Sequence, residues 1–214
     1  MPALPAERLE FTAPFTHVGI DFFGPMKVRG VDREIQKAFG VIFACLSTRT
    51  LHLEVCSDAI TDKFLLEFRR FVARRGAPQS ILSDNAKQFI LADRLLKEQF
   101  RIIILGDRVQ DYSTRIGTTW KFITERAPWR GAVYECLIGL VKSCLKRTIS
   151  RRLLLIEELS TILTEVELVV KMRPLAQAPE DSTEPVIRPI DLIRPFARDG
   201  SFMDRDESSK QQSI

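Results

Sequence analysis

The chain has 214 residues, of which 45% are hydrophobic and 28% charged, and its formal net charge is +4. This length and composition predict one sizeable globular core with loose ends. No apolar run reaches the length of a membrane span, the cysteines and histidines form no zinc-binding pattern, and the N-terminus lacks an apolar signal core. We therefore expect an intracellular chain with no membrane association, whose cysteines are buried free thiols.

The first strong pattern is a strand in the stretch T-H-V-G-I-D-F-F-G-P, from Thr16 to Pro25. Apolar residues at every second position from Val18 to Phe22 predict a row that faces the core. Asp21 stands in the middle of this strand, where a lone ionised carboxylate is costly unless it is paired or binds a metal. Asp21 is therefore the first candidate site residue, with strand termination and turn capping as the alternative.

Further strands and a helix follow in the first half of the chain. Two apolar runs, Ala38–Leu46 and Thr50–Cys56, are joined by short links and predict an antiparallel meander with the first strand. Apolar residues at helical spacing then predict a helix that Gly76 ends. A buried strand over Gln79–Ser83 carries Asp84 into a loop. A right-handed crossover through the helix would make the first and fourth strands parallel neighbours, with Asp84 near Asp21.

The second half of the chain is less regular. We expect a weak helix, a mainly polar loop stretch, a short strand and two long helices, over Ala86–Phe100, Arg101–Thr119, Trp120–Thr124, Ala132–Ile149 and Ile156–Met172 respectively. The last of these helices is expected to bury Leu159, Ile162, Leu163, Val166, Val169 and Val170. The chain divides into a lead-in at 1–13, a core at 14–175 and an irregular, proline-containing tail at 176–214 that is disordered at its end.

The helix Ala132–Ile149 carries the second candidate site. At 100° per residue, Glu135 shares one stripe with Lys142 and Lys146, and its seven-residue distance from Lys142 is a poor spacing for a salt bridge. Between Lys121 and Arg152 there are eight basic and two acidic residues, which suggests a polyanionic partner, with a solvated helix face as the alternative. The opposite, apolar face consists of Val133, Leu137, Leu140, Val141 and Cys144.

Three carboxylates, Asp21, Asp84 and Glu135, are far apart in the sequence, so only the fold can bring them together. If they converge without cationic partners they repel one another, and their convergence therefore predicts bound metal. Hard oxygen ligands suit Mg²⁺ or Mn²⁺. Two such ions about 3.5–4 Å apart would activate a nucleophile and stabilise a leaving oxygen in phosphoryl transfer. Lys142 and Lys146 would then hold a DNA backbone next to the metals.

Two further features have a structural and a functional interpretation. His52 and Glu54 share the non-apolar face of the third strand, and we expect them to form a satisfied, partly buried pair rather than part of a site. Trp120 and Trp129 could stack on nucleic-acid bases, but anchoring in the core or in a loop is the commoner role of tryptophan.

Several motifs follow one another in a recognisable order: H-V-G-I-D-F-F-G-P, H-L-E-V, F-V-A-R-R-G-A-P, S-D-N-A-K-Q-F, W-K-F-I-T, and A-P-W-R-G-A-V-Y-E-C-L-I-G-L-V-K. Over roughly Pro14 to Pro195 the chain resembles the catalytic core of retroviral-type integrases, most closely those of BEL/Pao-type LTR retrotransposons. The resemblance implies an α/β, ribonuclease H-like fold with a mixed five-stranded sheet and helices on both faces. It also implies 3′-end processing and strand transfer of element DNA into target DNA, in the nucleus, by a homo-oligomer.

The resemblance also assigns roles to individual residues. Asp21, Asp84 and Glu135 match the family's metal-binding acidic triad, which holds two Mg²⁺ or Mn²⁺ ions. Asn85 matches the asparagine that follows the second aspartate, and Lys142 matches a helix lysine near the viral DNA end. The chain departs from the family pattern at three positions, Ala86, Ala132 and Lys171.

The alternative is a catalytically silent nucleic-acid-binding or self-association module that retained the fold. Two observations motivate it. The chain departs from the family pattern at the three positions above, and it shows neither the His/Cys zinc module nor the C-terminal DNA-binding module of such integrases. A nuclease of the same fold class is a third interpretation, which the products of the reaction would distinguish from a transferase.

Overall fold

The computed structural model describes residues 12–30, 34–57, 61–84, 106–123, 132–149, 152–176 and 186–194. Most of the predicted lead-in, the predicted helix Ala86–Phe100, the beginning of the predicted loop stretch at 101–105 and the end of the tail lie outside this part of the chain. In chain order the elements are β1 (His17–Arg29), β2 (Ile35–Cys45), β3 (Leu51–Cys56), α1 (Thr61–Arg75), β4 (Ser80–Asp84), α2 (Asp107–Arg115), β5 (Thr119–Ile123), α3 (Ala132–Ile149), β6 (Leu154–Leu155) and α4 (Ile156–Lys171).

The sheet has the strand order β3-β2-β1-β4-β5. The first three strands form the predicted antiparallel meander, while β4 runs parallel to β1 and β5 runs parallel to β4. A two-residue sixth strand, β6, pairs with the end of β1 at Val28 and Arg29, which the sequence did not predict. The result is a mixed sheet with β1 at its centre and helices on both faces, as expected.

The central strand β1 is longer than predicted. It continues through Pro25 to Arg29, with a shift of register against β2 between Phe23 and Met26. Proline has no N–H to donate to the ladder, and a local irregularity of this kind is how a strand accommodates it. The prediction that the strand ends at Pro25 was therefore wrong.

A separate apolar core lies on each face of the sheet, between the sheet and the helices. On one face α1 and α2 pack over a cluster of aromatic rings, in which Phe43 and Phe71 are stacked with their centroids 4.3 Å apart. On the other face α3 and α4 cover Phe23, Ile42 and Leu53. Because both faces are covered, alternate residues of β1 enter different cores, and Gly19, Asp21 and Phe23 belong to the face that α3 covers.

Some of the predictions that rested on the residue pattern of a single helix or loop stretch were wrong. The stretch Arg101–Thr119 was expected to be mainly loop, but α2 forms within it, with only Val109 and Ser113 fully buried. On the long helices, Leu140 is 39% exposed and Val169 is 56% exposed, although both were assigned to buried faces. Among the described side chains of α3, the buried ones are Tyr134, Leu137, Ile138, Val141 and Leu145.

Two other findings concern the cysteines and the tail. All four cysteines are free, but Cys136 is exposed and Cys144 half-buried, so the expectation of buried thiols holds only for the two in β2 and β3. Residues 186–194 lie against the end of α4, where the buried Ile190 donates its amide to the carbonyl of Lys171 at 3.1 Å. None of the helices in the described part of the chain is long and apolar enough to cross a membrane.

Gly40→Ala is expected to destabilise the protein by about 1–3 kcal/mol. A Cβ atom on Gly40 would lie 2.1 Å from Cζ of Phe23, whose ring is buried in the sheet–helix core and has little room to move. The matched control is Gly139→Ala on α3, where a Cβ would meet nothing within 4 Å, and which is expected to stabilise by about 0.5–1 kcal/mol. Urea denaturation measures both, and equal midpoints for the two variants would contradict the prediction.

Candidate active site

The parallel pairing of β1 and β4 places two aspartates at neighbouring positions. Ile20 pairs with Ser83, and Asp21 and Asp84 are the next residues on their strands. Neighbouring strands are about 4.8 Å apart, so the backbones of the two aspartates are adjacent. Asp21 is half-buried, and its Oδ1 accepts a hydrogen bond from the Phe22 amide at 2.7 Å. The side chain of Asp84 lies outside the described part of the chain.

Tyr134 places the first turn of α3, which carries Glu135, above β1. Its buried ring lies directly on Gly19, since a Cβ atom there would be 2.5 Å from the ring atom Cδ1. Gly19 and Asp21 are two residues apart on one strand and therefore share a face of the sheet. The first turn of α3, which carries the exposed Glu135 next to Tyr134, thus lies over the same face of β1 as Asp21.

If these three residues converge, they would offer a metal ion only carboxylate oxygens. Such ligands suit Mg²⁺ or Mn²⁺ and would be poor ligands for softer metals. Among the side chains that the structure describes, no three from His, Cys, Asp and Glu form a group that could hold a metal ion. The candidate triad cannot be counted among such groups, because only Asp21 and Glu135 of its members have described side chains.

Lys142 and Lys146 lie farther along α3, on the predicted exposed stripe. They line an open groove of about 320 Å³ whose floor is apolar. Within the described part of the chain neither lysine has a carboxylate partner, so both charges are available to an anion. The groove is lined by Phe23, Gly24, Pro25, Met26, Lys142, Leu145, Lys146 and Ile149. Asn85, the remaining predicted nucleic-acid contact, lies outside the described residues.

Trp120 supports the strand that carries Asp84. Its indole Nε1 donates to Oγ of Ser83 at 2.9 Å, and its ring meets Phe64 and Phe68 edge-on. The anchoring role expected for this tryptophan is therefore what the structure shows, while Trp129 lies outside the described residues. The hydrogen bond ties β5 to β4 at the residue before Asp84.

A buried ionic cluster at β3 is the main feature that the sequence analysis missed. We name it the edge cluster, and it consists of His52, Glu54, Arg75, Glu167 and Lys171. The predicted pairing of His52 with Glu54 is confirmed, with Nε2 and Oε1 2.9 Å apart, but both residues are buried rather than partly buried. Glu167 of α4 binds to the same region and is also buried. Its carboxylate accepts hydrogen bonds from the Leu53 amide at 2.8 Å, from Arg75 at 2.9 Å and from Lys171. The only sequence signal was the i,i+4 spacing of Glu167 and Lys171.

The edge cluster shifts the ionisation of its members. Burial alone would raise the pKa of Glu167, but hydrogen bonds and charges from His52 and Lys171 outweigh burial and lower this pKa to about 2. Burial lowers the pKa of Lys171 to about 8, although the Glu167 charge opposes that shift. Glu167 is therefore ionised throughout the physiological range, whereas Lys171 loses its proton in mildly alkaline solution.

These pKa values predict how stability depends on pH. The pKa of Glu167 is lower in the folded than in the unfolded chain, so its contribution is present above about pH 4.5 and is lost as the pH falls toward 2. The unfolded chain binds more protons at Lys171 between about pH 8 and 10.5, so the free energy of unfolding should rise with pH in that window. Urea midpoints from pH 3 to 10 measure both trends. In Lys171→Met the alkaline rise should disappear.

Comparison with solved structures identifies the fold. Two structures of the HTLV-2 integrase catalytic core domain in complex with magnesium, one trimeric and one dimeric, match 77% and 78% of this chain and 90% and 93% of their own. Their TM-scores are 0.53 and 0.54, at 11% and 10% sequence identity. The fold is thus the ribonuclease H-like fold of integrase catalytic cores.

A longer chain also matches. The cryoEM structure of the simian T-cell lymphotropic virus intasome in complex with PP2A regulatory subunit B56 gamma aligns with 85% of this chain, with a TM-score of 0.59 and 11% identity. The present chain spans 55% of the length of that intasome chain. A scan of known protein families and a search of curated proteins both find no match.

Proposed function

We propose that this chain is an integrase catalytic domain, a metal-dependent polynucleotidyl transferase of the acidic-triad type, and that its nearest kin are integrases of BEL/Pao-type retrotransposons. The observation that carries the proposal is the adjacency of Asp21 and Asp84 on parallel strands beneath the helix turn of Glu135. The likeness of the fold to integrase catalytic core domains that were solved in complex with magnesium supports the proposal.

In this proposal the protein's residues position the reactants. Asp21, Asp84 and Glu135 would hold two divalent ions, which when bound activate the attacking oxygen and stabilise the leaving oxygen of a phosphodiester. Asp21 is oriented by the Phe22 amide, and β4 is held in place by the Trp120–Ser83 bond. Lys142 would bind the phosphate backbone in the groove along β1, so that the scissile bond is held over the strand ends.

The partners follow from this chemistry. The substrates would be the ends of an element's DNA, which are processed at the 3′ side, and a target DNA that receives them. The multimeric cores among the similar structures favour a homo-oligomer as the working form, and the reaction on chromosomal DNA would take place in the nucleus.

A strand-transfer assay tests the proposal. The chain is mixed with labelled element-end DNA and target DNA in Mg²⁺ or Mn²⁺, and single-end disintegration is measured in parallel because it makes fewer demands on assembly. Joined products that disappear with EDTA and with Asp84→Asn are expected. Joined products that persist in Asp84→Asn would overturn the assignment.

Calorimetry with Mn²⁺ separates the enzyme from the silent module. An active core should bind Mn²⁺ at a site that Glu135→Gln removes, whereas a silent nucleic-acid-binding or self-association remnant should bind none there. Absence of that site, together with retained DNA binding, would favour the silent module.

The variant Lys142→Gln/Lys146→Gln is expected to bind duplex DNA more weakly and with a smaller dependence on salt. Each lysine that neutralises one phosphate adds about 0.9 to the slope of log affinity against log salt concentration, so the slope should fall by about 2. Fluorescence anisotropy over a salt series measures it. Lys63→Gln/Lys37→Gln removes the same charge from exposed positions outside the groove and serves as the control. An unchanged slope in the groove variant would exclude these lysines as phosphate contacts.

A further inference from the structure

The turn between β2 and β3 presents an arginine in a fixed position. Arg49 has φ of +55°, in the left-handed region, and its side chain is exposed. The turn is closed by hydrogen bonds from the Arg49 amide to the Cys45 carbonyl at 3.1 Å and from the Cys45 amide to the Thr50 carbonyl at 2.8 Å. Because these hydrogen bonds close the turn, the Cα atom from which the Arg49 side chain extends has a fixed position.

A second arginine reaches this turn from the end of α4. The guanidinium of Arg173 donates to the Val170 carbonyl at 2.6 Å and to the Arg49 carbonyl at 2.9 Å. Arg173 is half-buried, so its position is fixed by packing as well as by these bonds. The Arg173 guanidinium is thus held against the backbone of the turn that carries Arg49.

The electrostatics of the pair favour an anion. Within the described residues neither Arg49 nor Arg173 has a carboxylate partner. Burial lowers the pKa of the Arg173 guanidinium, Cys136 opposes that shift, and the charge of Arg49 adds to it. Two like charges held together in this way are relieved by a bound anion, and planar guanidinium groups suit the oxygens of a phosphate.

The surroundings place the pair close to the candidate active site. Leu46, the first residue of the turn between β2 and β3, lies over Gly19 together with Tyr134, which precedes Glu135 in the first turn of α3. The groove of Lys142 and Lys146 begins two turns farther along the same helix. A nucleic-acid strand that touched both the arginine pair and the lysine groove would therefore pass over the Glu135 turn.

We propose that Arg49 and Arg173 form a second phosphate-binding site for DNA, at the opposite end of α3 from the lysine groove. This inference rests on the proposed function, because it takes DNA as the ligand. The competing explanation is a purely structural clamp, in which Arg173 ties α4 to the turn. Only Arg173 takes part in that clamp through its side chain, so a change at Arg49 distinguishes the two.

Fluorescence anisotropy with duplex DNA over a salt series tests the site in the full chain. Arg49→Gln should weaken binding about 5-fold and lower the salt slope by about 1, since one phosphate contact is lost. Arg49→Lys keeps the charge and should restore most of the slope. The matched control is Arg115→Gln, an exposed arginine on α2 that pairs with Asp111 at 2.7 Å, and it should bind like the unmodified chain.

The outcomes are separable. DNA binding by Arg49→Gln with unchanged affinity and slope would overturn the second site and leave the proposed function standing. An equal loss in Arg115→Gln would also overturn it, because the effect would then be one of net charge. If the unmodified chain binds no DNA, the proposed function is wrong, and so is the proposal that DNA is the ligand of this second site. Thermal melting by circular dichroism confirms that the variants are folded, as expected for an exposed side chain.

Discussion

Asp21→Asn is expected to abolish strand transfer and disintegration while the fold is retained. Asparagine has the same shape and keeps an oxygen that can accept the Phe22 amide bond, so β1 should form as before. The change removes the negative charge that a divalent ion requires. Metal-ion stabilisation of the transition state is worth several kcal/mol, so the rate should fall on the order of 10³-fold.

The measurement is the amount of joined product against time in Mn²⁺, with circular dichroism as the check on folding. The matched control is Asp62→Asn, which removes an exposed carboxylate from the first turn of α1, on the opposite face of the sheet from α3. That control should keep full activity. If Asp21→Asn retains a tenth or more of the activity, Asp21 does not bind the catalytic ions.

Glu167→Ala is expected to destabilise the protein by about 3–5 kcal/mol, the range for removing one partner of a buried ion pair. The change leaves the buried Lys171 charge without its carboxylate, and it also removes the acceptor for Arg75 and for the Leu53 amide. The exposed Glu165→Ala, two residues away on the same helix, is the control and should change stability by less than about 1 kcal/mol.

Urea denaturation at pH 7 measures the free energy of unfolding of both variants. A second variant, Glu167→Ala/Lys171→Met, removes both charges and should recover part of the loss, because no lysine charge then remains buried. If Glu167→Ala is no less stable than Glu165→Ala, the edge cluster does not stabilise the fold.

The parts of the fold that the sequence predicted are those with strong local signals. The meander follows from period-2 runs with short links, and α3 was predicted with its observed bounds, Ala132–Ile149. The parallel pairing of β1 and β4 followed from the handedness of the crossover, and it is confirmed. That pairing brings the backbones of Asp21 and Asp84 together, so the main geometric expectation about the candidate site came from topology rather than from any local motif.

The parts that were wrong depend on neighbours in space. The apolar residues of a helix show which side faces the core, but not how far around the helix the buried surface extends. Leu140 and Val169 were misassigned for this reason. The short helix α2 has few apolar residues and offers no clear period. Burial of Glu167 and Lys171 depends on which strand forms the border of the sheet, and this information is absent from the α4 sequence alone.

The edge cluster also has a consequence for how copies of the chain could associate. β3 is the outermost strand on its side, and an unpaired strand border is the usual place where another chain adds a strand. Here the Leu53 amide is already occupied by the Glu167 carboxylate, and charged side chains from α1 and α4 surround it. Growth of a continuous intermolecular sheet is therefore blocked at the β3 border. Loss of the Glu167 carboxylate would leave the Leu53 amide free to pair with a strand of another chain, which would favour β-aggregation.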